Sequence, residues 1–418
     1  MKIFTRDKSF YKSLIFLAIP IVLQNMITYL HSFADSVMVG RLGEYAIGGV
    51  YMANQPQVSL QLVVTGFTSA MVIISTQYWG KKDTQSMKYV ITTALRFCAI
   101  LGFIWTSIIT IMPERVLSLF TNDRAVIQEA VAYIRIVCWS YVCFCITQTL
   151  IASMRSVEQA KVGMYISLVA LFVSVFINYT LIFGNFGFPA MGVRGAATAT
   201  LIARIIEMLL IIAYVRFVDN KLNFRLKDVF KINKTLQMDY IKYGTPVVLG
   251  QVVWAINILS QGAIVGRLSA EAISSASITG MLSNMLFMAV LGLSVALGIV
   301  TGKTVGQGEY EKMKQYAITA QAIFLLIGLF SGIFIFFFRH IFIQLYNINE
   351  NTIFIANQFM TVLSISFIGR CYQGACLGGL VKAGGDVSFV FINDTIFVFG
   401  VVIPSAVLAL YLDRKSVV

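Results

Sequence analysis

The chain is written twice, and that duplication constrains its fold more than any other feature. Pro20, Val39, Gly40, Arg41, Leu42, Ala46, Ile47, Gly66, Ala70, Gly80, Met87 and Lys88 recur as Pro246, Val265, Gly266, Arg267, Leu268, Ala272, Ile273, Gly292, Ala296, Gly306, Met313 and Lys314, always 226 residues apart. An ungapped echo over so long an apolar stretch, with several hydrophobic segments in each copy, predicts a membrane transporter assembled from two homologous halves.

Composition agrees. Of 418 residues, 58% are hydrophobic and 12% charged, too little polar surface to cover a water-soluble domain. The chain reads as an all-α polytopic membrane protein. About 20 apolar residues cross about 30 Å of hydrocarbon. On that measure helices are expected over 13–39, 46–78, 88–112, 125–152, 160–184 and 192–216, then 239–265, 272–302, 314–338, 352–379 and 387–411. That makes eleven, where two six-helix halves demand twelve. Soon after the eleventh the chain ends in Asp413-Arg414-Lys415-Ser416-Val417-Val418, which a common sequencing adapter would encode before a stop codon. The expectation is a truncated last helix and a non-native tail at 413–418.

The net charge of +13 could suggest nucleic acid, but its placement points to topology. Lys2, Arg6, Lys8, Lys12, Lys81, Lys82, Lys88, Arg155, Lys161, Arg216, Lys221, Arg225, Lys227, Lys231, Lys234, Lys242, Lys303, Lys312, Lys314 and Lys382 fall on one side of the helix scheme. The other side holds Arg41, Arg115, Arg124, Arg194, Arg267 and Arg339. The positive-inside rule therefore places the N-terminus and the loop 217–238 in the cytoplasm, with the chain as a multi-pass protein of a bacterial plasma membrane.

Cys98, Cys138, Cys143, Cys145, Cys371 and Cys376 all lie in expected spans, as small buried apolar groups supporting neither a disulfide framework nor a metal site. The first apolar run continues through Pro20, Gln24 and Asp35 without a small-residue cleavage site, so it is a span and not a signal peptide. Gly302-Lys303-Thr304 resembles the end of a phosphate-binding loop, but Leu297 stands where its first glycine belongs and no strand precedes it. Energy for transport is then expected from an ion gradient, without ATP.

Six spans per half put both halves in the same orientation, related by an axis along the membrane normal. The expected organisation is an N-terminal lobe (1–216), a Lys- and Asn-rich linker (217–238), a C-terminal lobe (239–412) and the tail. Pro20, Gln24, Asp35 and Met38-Val39-Gly40-Arg41-Leu42-Gly43, then Leu181-Ile182-Phe183-Gly184 with Pro189, Met191-Gly192-Val193 and Gly195-Ala196-Ala197, and finally Ala383-Gly384-Gly385-Asp386 together resemble the multidrug and toxic compound extrusion (MATE) transporters. The resemblance covers the chain apart from its tail. It implies the twelve-helix MATE fold and, within the family, the DinF-like branch. The acids of the NorM-like branch in the seventh and tenth helices have no counterpart here: the seventh offers Gln251, Asn257 and Gln261, and Arg370 or Cys371 stands near the tenth-helix position. Asn178 takes the place of a fifth-helix Asp of some archaeal relatives. These departures favour H+ over Na+ as coupling ion, with Na+ possible. The resemblance further implies a monomer in the lipid bilayer exporting small organic, often cationic, amphipathic compounds, with no nucleic-acid partner and no cofactor.

Gln24, Thr28, His31 and Asp35 fall at i, i+4, i+7 and i+11, a polar stripe on one face of an otherwise apolar first helix. Asp35, five residues before Gly40, sits about one and a half turns inside the helix end. An acid at mid-span costs about 2.5–3.5 kcal/mol to insert, so it is a functional candidate by default. Asp35 and His31 are the candidate ion-coupling residues. The shift of 226 carries them onto Asn257 and Gln261, which are polar but do not titrate, so the switch is expected in the first half and a substrate-lining role for the second pair. Arg370 is read either as a cavity residue or as a charge locked to a carboxylate such as Asp394; Asn178, Tyr372 and Gln373 are cavity candidates. Arg204 and Glu207, three apart, are expected to form a structural bridge. Abundant Met and Phe suit a pliable pocket.

The expected activity is that of a secondary active multidrug or organic-cation antiporter whose two lobes alternate access to a central site. A lipid-linked oligosaccharide flippase on a related fold is the nearest rival and would want a lumen richer in Arg and Lys. A membrane-embedded enzyme would need clustered His and carboxylates, whereas His31 and His340 are far apart in sequence.

Overall fold

A computed structural model describes residues 4–120, 123–265, 267, 270–344, 346 and 348–416. Lys2, Gly266, Leu268, Val417 and Val418, which enter the charge, repeat and tail readings, lie outside the described residues. Among the described residues there is no strand. The helices are α1 Lys8–Gly40, α2 Glu44–Gly80, α3 Thr84–Ile111, α4 Pro113–Leu117, α5 Arg124–Val137, α6 Ser140–Ser156, α7 Ala160–Phe183, α8 Val193–Ala213, α9 Lys234–Val265, α10 Ala270–Gly306, α11 Tyr310–Gln344, α12 Glu350–Gln373, α13 Lys382–Gly384, α14 Val387–Phe397 and α15 Ile403–Ser416. Two π-helical stretches join α12 to α13 (Gly374–Val381) and α14 to α15 (Val398–Val402).

Nine helices among the described residues are long and apolar enough to cross a membrane, and the α5–α6 pair makes a tenth. That pair departs from the single helix expected over 125–152. It is bent by 55°, and the Thr106 hydroxyl, donating to the Cys138 carbonyl at 2.9 Å, takes up an acceptor at the break. Hydropathy cannot see such a bend, because the run stays apolar through it. The remaining expected segment, 192–216, is α8, a helix of 21 residues carrying Arg194, Arg204 and Glu207 that falls outside those ten.

The helix ends follow from local chemistry. Asp83, Asp123, Asn349 and Asp386 each accept a backbone N–H in the first turn of α3, α5, α12 and α14, satisfying donors that a helix start leaves orphaned. Gly184 ends α7 at φ 74°, a left-handed conformation that favours glycine.

The chain divides into two compact units inside two helices. One is Leu23–Gly244; the other joins Met1–Val22 to Thr245–Val418. The crossings, after Val22 in α1 and after Gly244 in α9, lie beside Pro20 and Pro246. A proline inside a helix removes one i→i−4 hydrogen bond and crowds the preceding turn, so the repeat places a weak point at each crossing.

In the unit Leu23–Gly244, α2, α3, α5, α6 and α8 surround buried Leu60, Val64, Ile134, Tyr141 and Phe144. Lipid tails are as apolar as leucine, so such helices associate through close packing. A Cβ at Gly102 of α3 would stand 2.9 Å from Cys145 Sγ of α6, and one at Gly163 of α7 would stand 2.6 Å from Gln24 Oε1 of α1. The segment joining α8 to α9 is strapped down: Lys88 donates to the Asn223 carbonyl at 2.9 Å, Thr92 to the Asp228 carbonyl at 3.1 Å and Arg96 to the Val229 carbonyl. α9 starts at Lys234, earlier than the expected 239.

In the other unit, α10, α11 and α12 pack around Leu297, Phe324, Met360 and Phe367. Thr5 and the first turn of α1 are anchored to α11: the Thr5 amide donates to Thr319 Oγ1 at 2.9 Å, and Phe10 stacks on Tyr316 at 4.4 Å. The Tyr316 hydroxyl donates to Asp7 and is the main cause holding the Asp7 carboxyl below its ordinary value. The six cysteines are free.

Candidate functional site

The polar stripe of α1 divides into two centres within the unit Leu23–Gly244. At its lower end Gln24 is buried. Arg155 Nη2 donates to Gln24 Oε1 at 2.7 Å, and Gln24 Nε2 donates to Ser167 Oγ at 3.2 Å. Gln24 thus fixes α1 against α6 and α7. Thr28 is exposed and returns its hydroxyl to the Gln24 carbonyl at 2.9 Å. Arg155, which its position alone puts among the loop cations, is turned inward, and its partner Gln24, 131 residues away, carries no local signal of that.

At the upper end the structure brings His31, Asp35 and Asn178 together. Asn178, 1% exposed on α7, donates its amide to Asp35 Oδ1 at 2.6 Å and to Ser174 Oγ at 3.4 Å. His31 Nε2 lies 3.6 Å from Asp35 Oδ2, in ionic reach but beyond a hydrogen bond. The Asp35 side chain keeps 25% of its surface exposed, enough for an ion to reach it. On α8, Arg204 Nη1 bridges to Glu207 Oε2 at 2.8 Å, as the three-residue spacing predicts.

The second half's candidates lie in the other unit. Gln261 Nε2 donates to Asn257 Oδ1 at 2.9 Å, so these equivalents of Asp35 and His31 satisfy one another. Arg370 does not pair with Asp394. Its Nη1 donates to Ser283 Oγ at 2.6 Å and its guanidinium lies 3.9 Å from the Phe287 ring centroid. Stacking offsets part of the cost of a half-buried cation. Tyr372 donates to Gln321 Oε1 at 3.3 Å. Gln373 is exposed at the end of α12, where the Gly374 carbonyl accepts from Ser294 Oγ at 2.6 Å. No group of three or more His, Cys, Asp or Glu among the described residues could hold a metal ion.

Known proteins match this arrangement along nearly the whole chain. The MatE family model matches residues 20–180 and again 246–408, and its two starts, Pro20 and Pro246, are separated by the repeat length of 226. The chain is 23% identical over 401 residues to the probable multidrug resistance protein YoeA of Bacillus subtilis, covering 95% of this chain and 86% of that protein. It is 25% identical over 355 residues to the probable multidrug resistance protein NorM of Thermotoga maritima, covering 85% and 76%. Among solved structures it superposes on an outward-facing multidrug resistance MATE family transporter of the MOP superfamily with a TM-score of 0.83 at 18% identity, covering 97% of this chain and 95% of that one. A MOP superfamily transporter from Pyrococcus furiosus gives 0.81 at 18%, with the same coverage. The chain therefore belongs to the MatE family, with the MATE fold in two repeated halves, and is a membrane transporter rather than an enzyme.

Proposed function

We propose that this protein exports amphipathic organic compounds, many of them cationic, in exchange for protons, as a monomer of the DinF-like branch with its N-terminus in the cytoplasm. The observation that carries this reading is the carboxylate of Asp35, set in an apolar span beside His31 and bonded by the buried amide of Asn178. The multidrug resistance names of the relatives support the cargo class. Asn178, and the absence of acids at Asn257 and Gln261, favour a proton as the driver over sodium.

The geometry supplies a means of coupling. With Asp35 ionised, the amide of Asn178 makes a charge-assisted hydrogen bond worth about 1.5–3 kcal/mol; with Asp35 protonated the bond is a neutral one worth about 0.5–1.5 kcal/mol. Loading a proton therefore loosens α1 from α7 by about 1 kcal/mol, while Gln24 stays clamped to Arg155. A change of 1.4 kcal/mol is tenfold in a two-state equilibrium, so one proton biases the two states of alternating access without locking either.

Efflux of ethidium from everted membrane vesicles under an imposed proton or sodium gradient tests the proposal. Asp35→Asn, which keeps the shape and the bond to Asn178 but cannot ionise, is expected to abolish proton-driven efflux. Wild-type efflux in that variant, or efflux driven by sodium alone, would sink the proton-coupled reading.

A further inference from the structure

Arg339 and His340 are neighbours on α11 and belong to a different unit from the cluster around Asp35. With Asn357 and Gln358 of α12, and with the apolar Phe354 and Val362, they line an open groove of about 350 Å³. The Arg339 guanidinium lies 4.0 Å from the Phe336 ring centroid, and its Nη1 donates to the Phe336 carbonyl at 2.7 Å. Among the described residues no carboxylate pairs with it. Arg339 Nε is a buried donor without a hydrogen-bond partner, and Asn357 Oδ1 is a buried acceptor without one, although the Asn357 amide nitrogen donates to the Ile353 carbonyl at 3.0 Å. Unsatisfied buried polar atoms are costly, so the wall of this groove holds a cation without an acid, a donor and an acceptor that its own helices leave unused.

The groove lies at the depth of lipid headgroups. α11 has 35 residues, about 52 Å at 1.5 Å per residue. Upright and centred, a helix of that length overhangs about 30 Å of hydrocarbon by about 11 Å at each end. Arg339 stands five residues before the end of α11 at Gln344, about 7.5 Å in. Asn357 stands seven residues after the start of α12 at Glu350, about 10 Å in. Phe354, Gln358, Val362 and Ile365 follow one another along one face of α12 at helical spacing. Of these, Phe354, Val362 and Ile365 are exposed, so an apolar track leads from the groove toward the midplane.

We infer that this groove binds one phospholipid. Arg339 and His340 take the phosphodiester, Asn357 and Gln358 take the polar end of the headgroup, and an acyl chain lies along Val362 and Ile365. The planar fork of an arginine matches a phosphate, and the apolar track favours a lipid over free phosphate. The unused acceptor of Asn357 favours a glycerol or ethanolamine headgroup, which carries O–H or N–H donors, over choline, which carries none. With the N-terminus in the cytoplasm, as proposed above, α11 runs outward and the lipid belongs to the outer leaflet.

Native mass spectrometry of the full-length chain, titrated with dioleoylphosphatidylglycerol, dioleoylphosphatidylcholine or inorganic phosphate, tests this. At equal lipid concentration the wild type is expected to hold one more phosphatidylglycerol than Arg339→Gln, in which loss of charge-assisted bonds weakens the site about tenfold or more. Arg115→Gln, which removes an exposed cation of the other unit, should lose none. Asn357→Leu should keep the lipid but take phosphatidylglycerol and phosphatidylcholine equally at that site. Should Arg339→Gln fail to fold, Val362→Trp fills the groove, keeps every charge and should lose the same lipid. Retention of the wild-type count in Arg339→Gln and Val362→Trp, an equal loss in Arg115→Gln, or a wild-type site that takes both lipids equally overturns the inference. So does inorganic phosphate that displaces the Arg339-dependent lipid at the same concentration, since the site would then be one for free anions.

Discussion

Asp228→Asn should release the strap between α8 and α9 from α3, by an amount the contacts allow to be worked out. The Asp228 carboxylate accepts from Lys231 Nζ at 2.8 Å and from the Arg225 amide at 3.0 Å, and Lys88 Nζ stands at 3.6 Å. Asparagine can keep an acceptor for the amide but loses the charge. Lys231 is 49% exposed, and an ion pair made by so exposed a group adds little. Lys88 is 18% exposed, and its share and the weakened amide bond come to about 1.5 kcal/mol. That corresponds to a roughly tenfold more populated open strap. Amide hydrogen exchange over 225–231 should lose protection by that factor. The amides of Lys221, Leu222 and Asn223, held by Asp219 at 3.0–3.1 Å, serve as an internal control and should not change. Burial works to raise the Asp228 carboxyl, but the bonds from Lys231 and the Arg225 amide and the charge of Lys88 outweigh it and hold it below its ordinary value. Its contribution is therefore complete above the ordinary carboxylate pKa of about 3.9 and fades as pH falls through the lower value in the closed strap. Wild type and variant should converge in acid. Unchanged protection at neutral pH, or equal loss at 221–223, would refute the reasoning.

Two further substitutions probe packing. Gly163→Val would drive a branched side chain into Gln24 and Ile151 Cγ2, which a bare Cβ already meets at 2.6 and 2.8 Å. Detergent-solubilised protein should unfold at lower temperature, losing about 1–3 kcal/mol, and disturbance of the clamp between Gln24 and Arg155 should weaken efflux further than stability alone explains; an unaltered Tm would contradict the close packing of α1 on α7. Phe287→Ala removes the ring under Arg370 and should cost about 3–5 kcal/mol by cavity and lost stacking together, whereas Asp394→Asn should leave the environment of Arg370 untouched, a contrast that thermal unfolding can read directly.

The repeat, the spans and the polar stripe were legible in the sequence because each is a pattern within one helix or a constant offset between two. The partners of that stripe were not. Gln24 meets Arg155 across 131 residues, and Arg370 meets Ser283 across 87. The spacing of α12 and α14 made Asp394 a reasonable partner for Arg370, yet the guanidinium finds a hydroxyl and an aromatic face on α10, which serve a buried cation without burying an acid too. Arg204 and Glu207 were legible as an i,i+3 bridge because both lie on one helix. The bend between α5 and α6 leaves no mark in the sequence because apolar residues run through it and the compensating donor, Thr106, comes from α3.

The two halves preserve their scaffold and diverge in charge, and the divergence has a physical logic. At the positions of His31 and Asp35 the second copy carries Asn257 and Gln261. A pair of amides one turn apart can satisfy itself, as the 2.9 Å bond between them does, and remains neutral at every pH. A carboxylate has no such closed solution: it accepts the amide of Asn178 and still holds a charge that only an ion can cancel. Duplication alone would give two equivalent loading sites. If Asp35 is the loading site proposed above, an amide in place of the second acid confines the response to the first copy, so that one loading event has an unambiguous meaning for the α1 helix that carries it. Restoring an acid at Gln261 should then create a second loading site, and Gln261→Asp ought to raise the number of protons exchanged per ethidium in vesicles, whereas an unchanged ratio would mean that the environment of α9, and not the missing carboxylate, keeps the second copy silent.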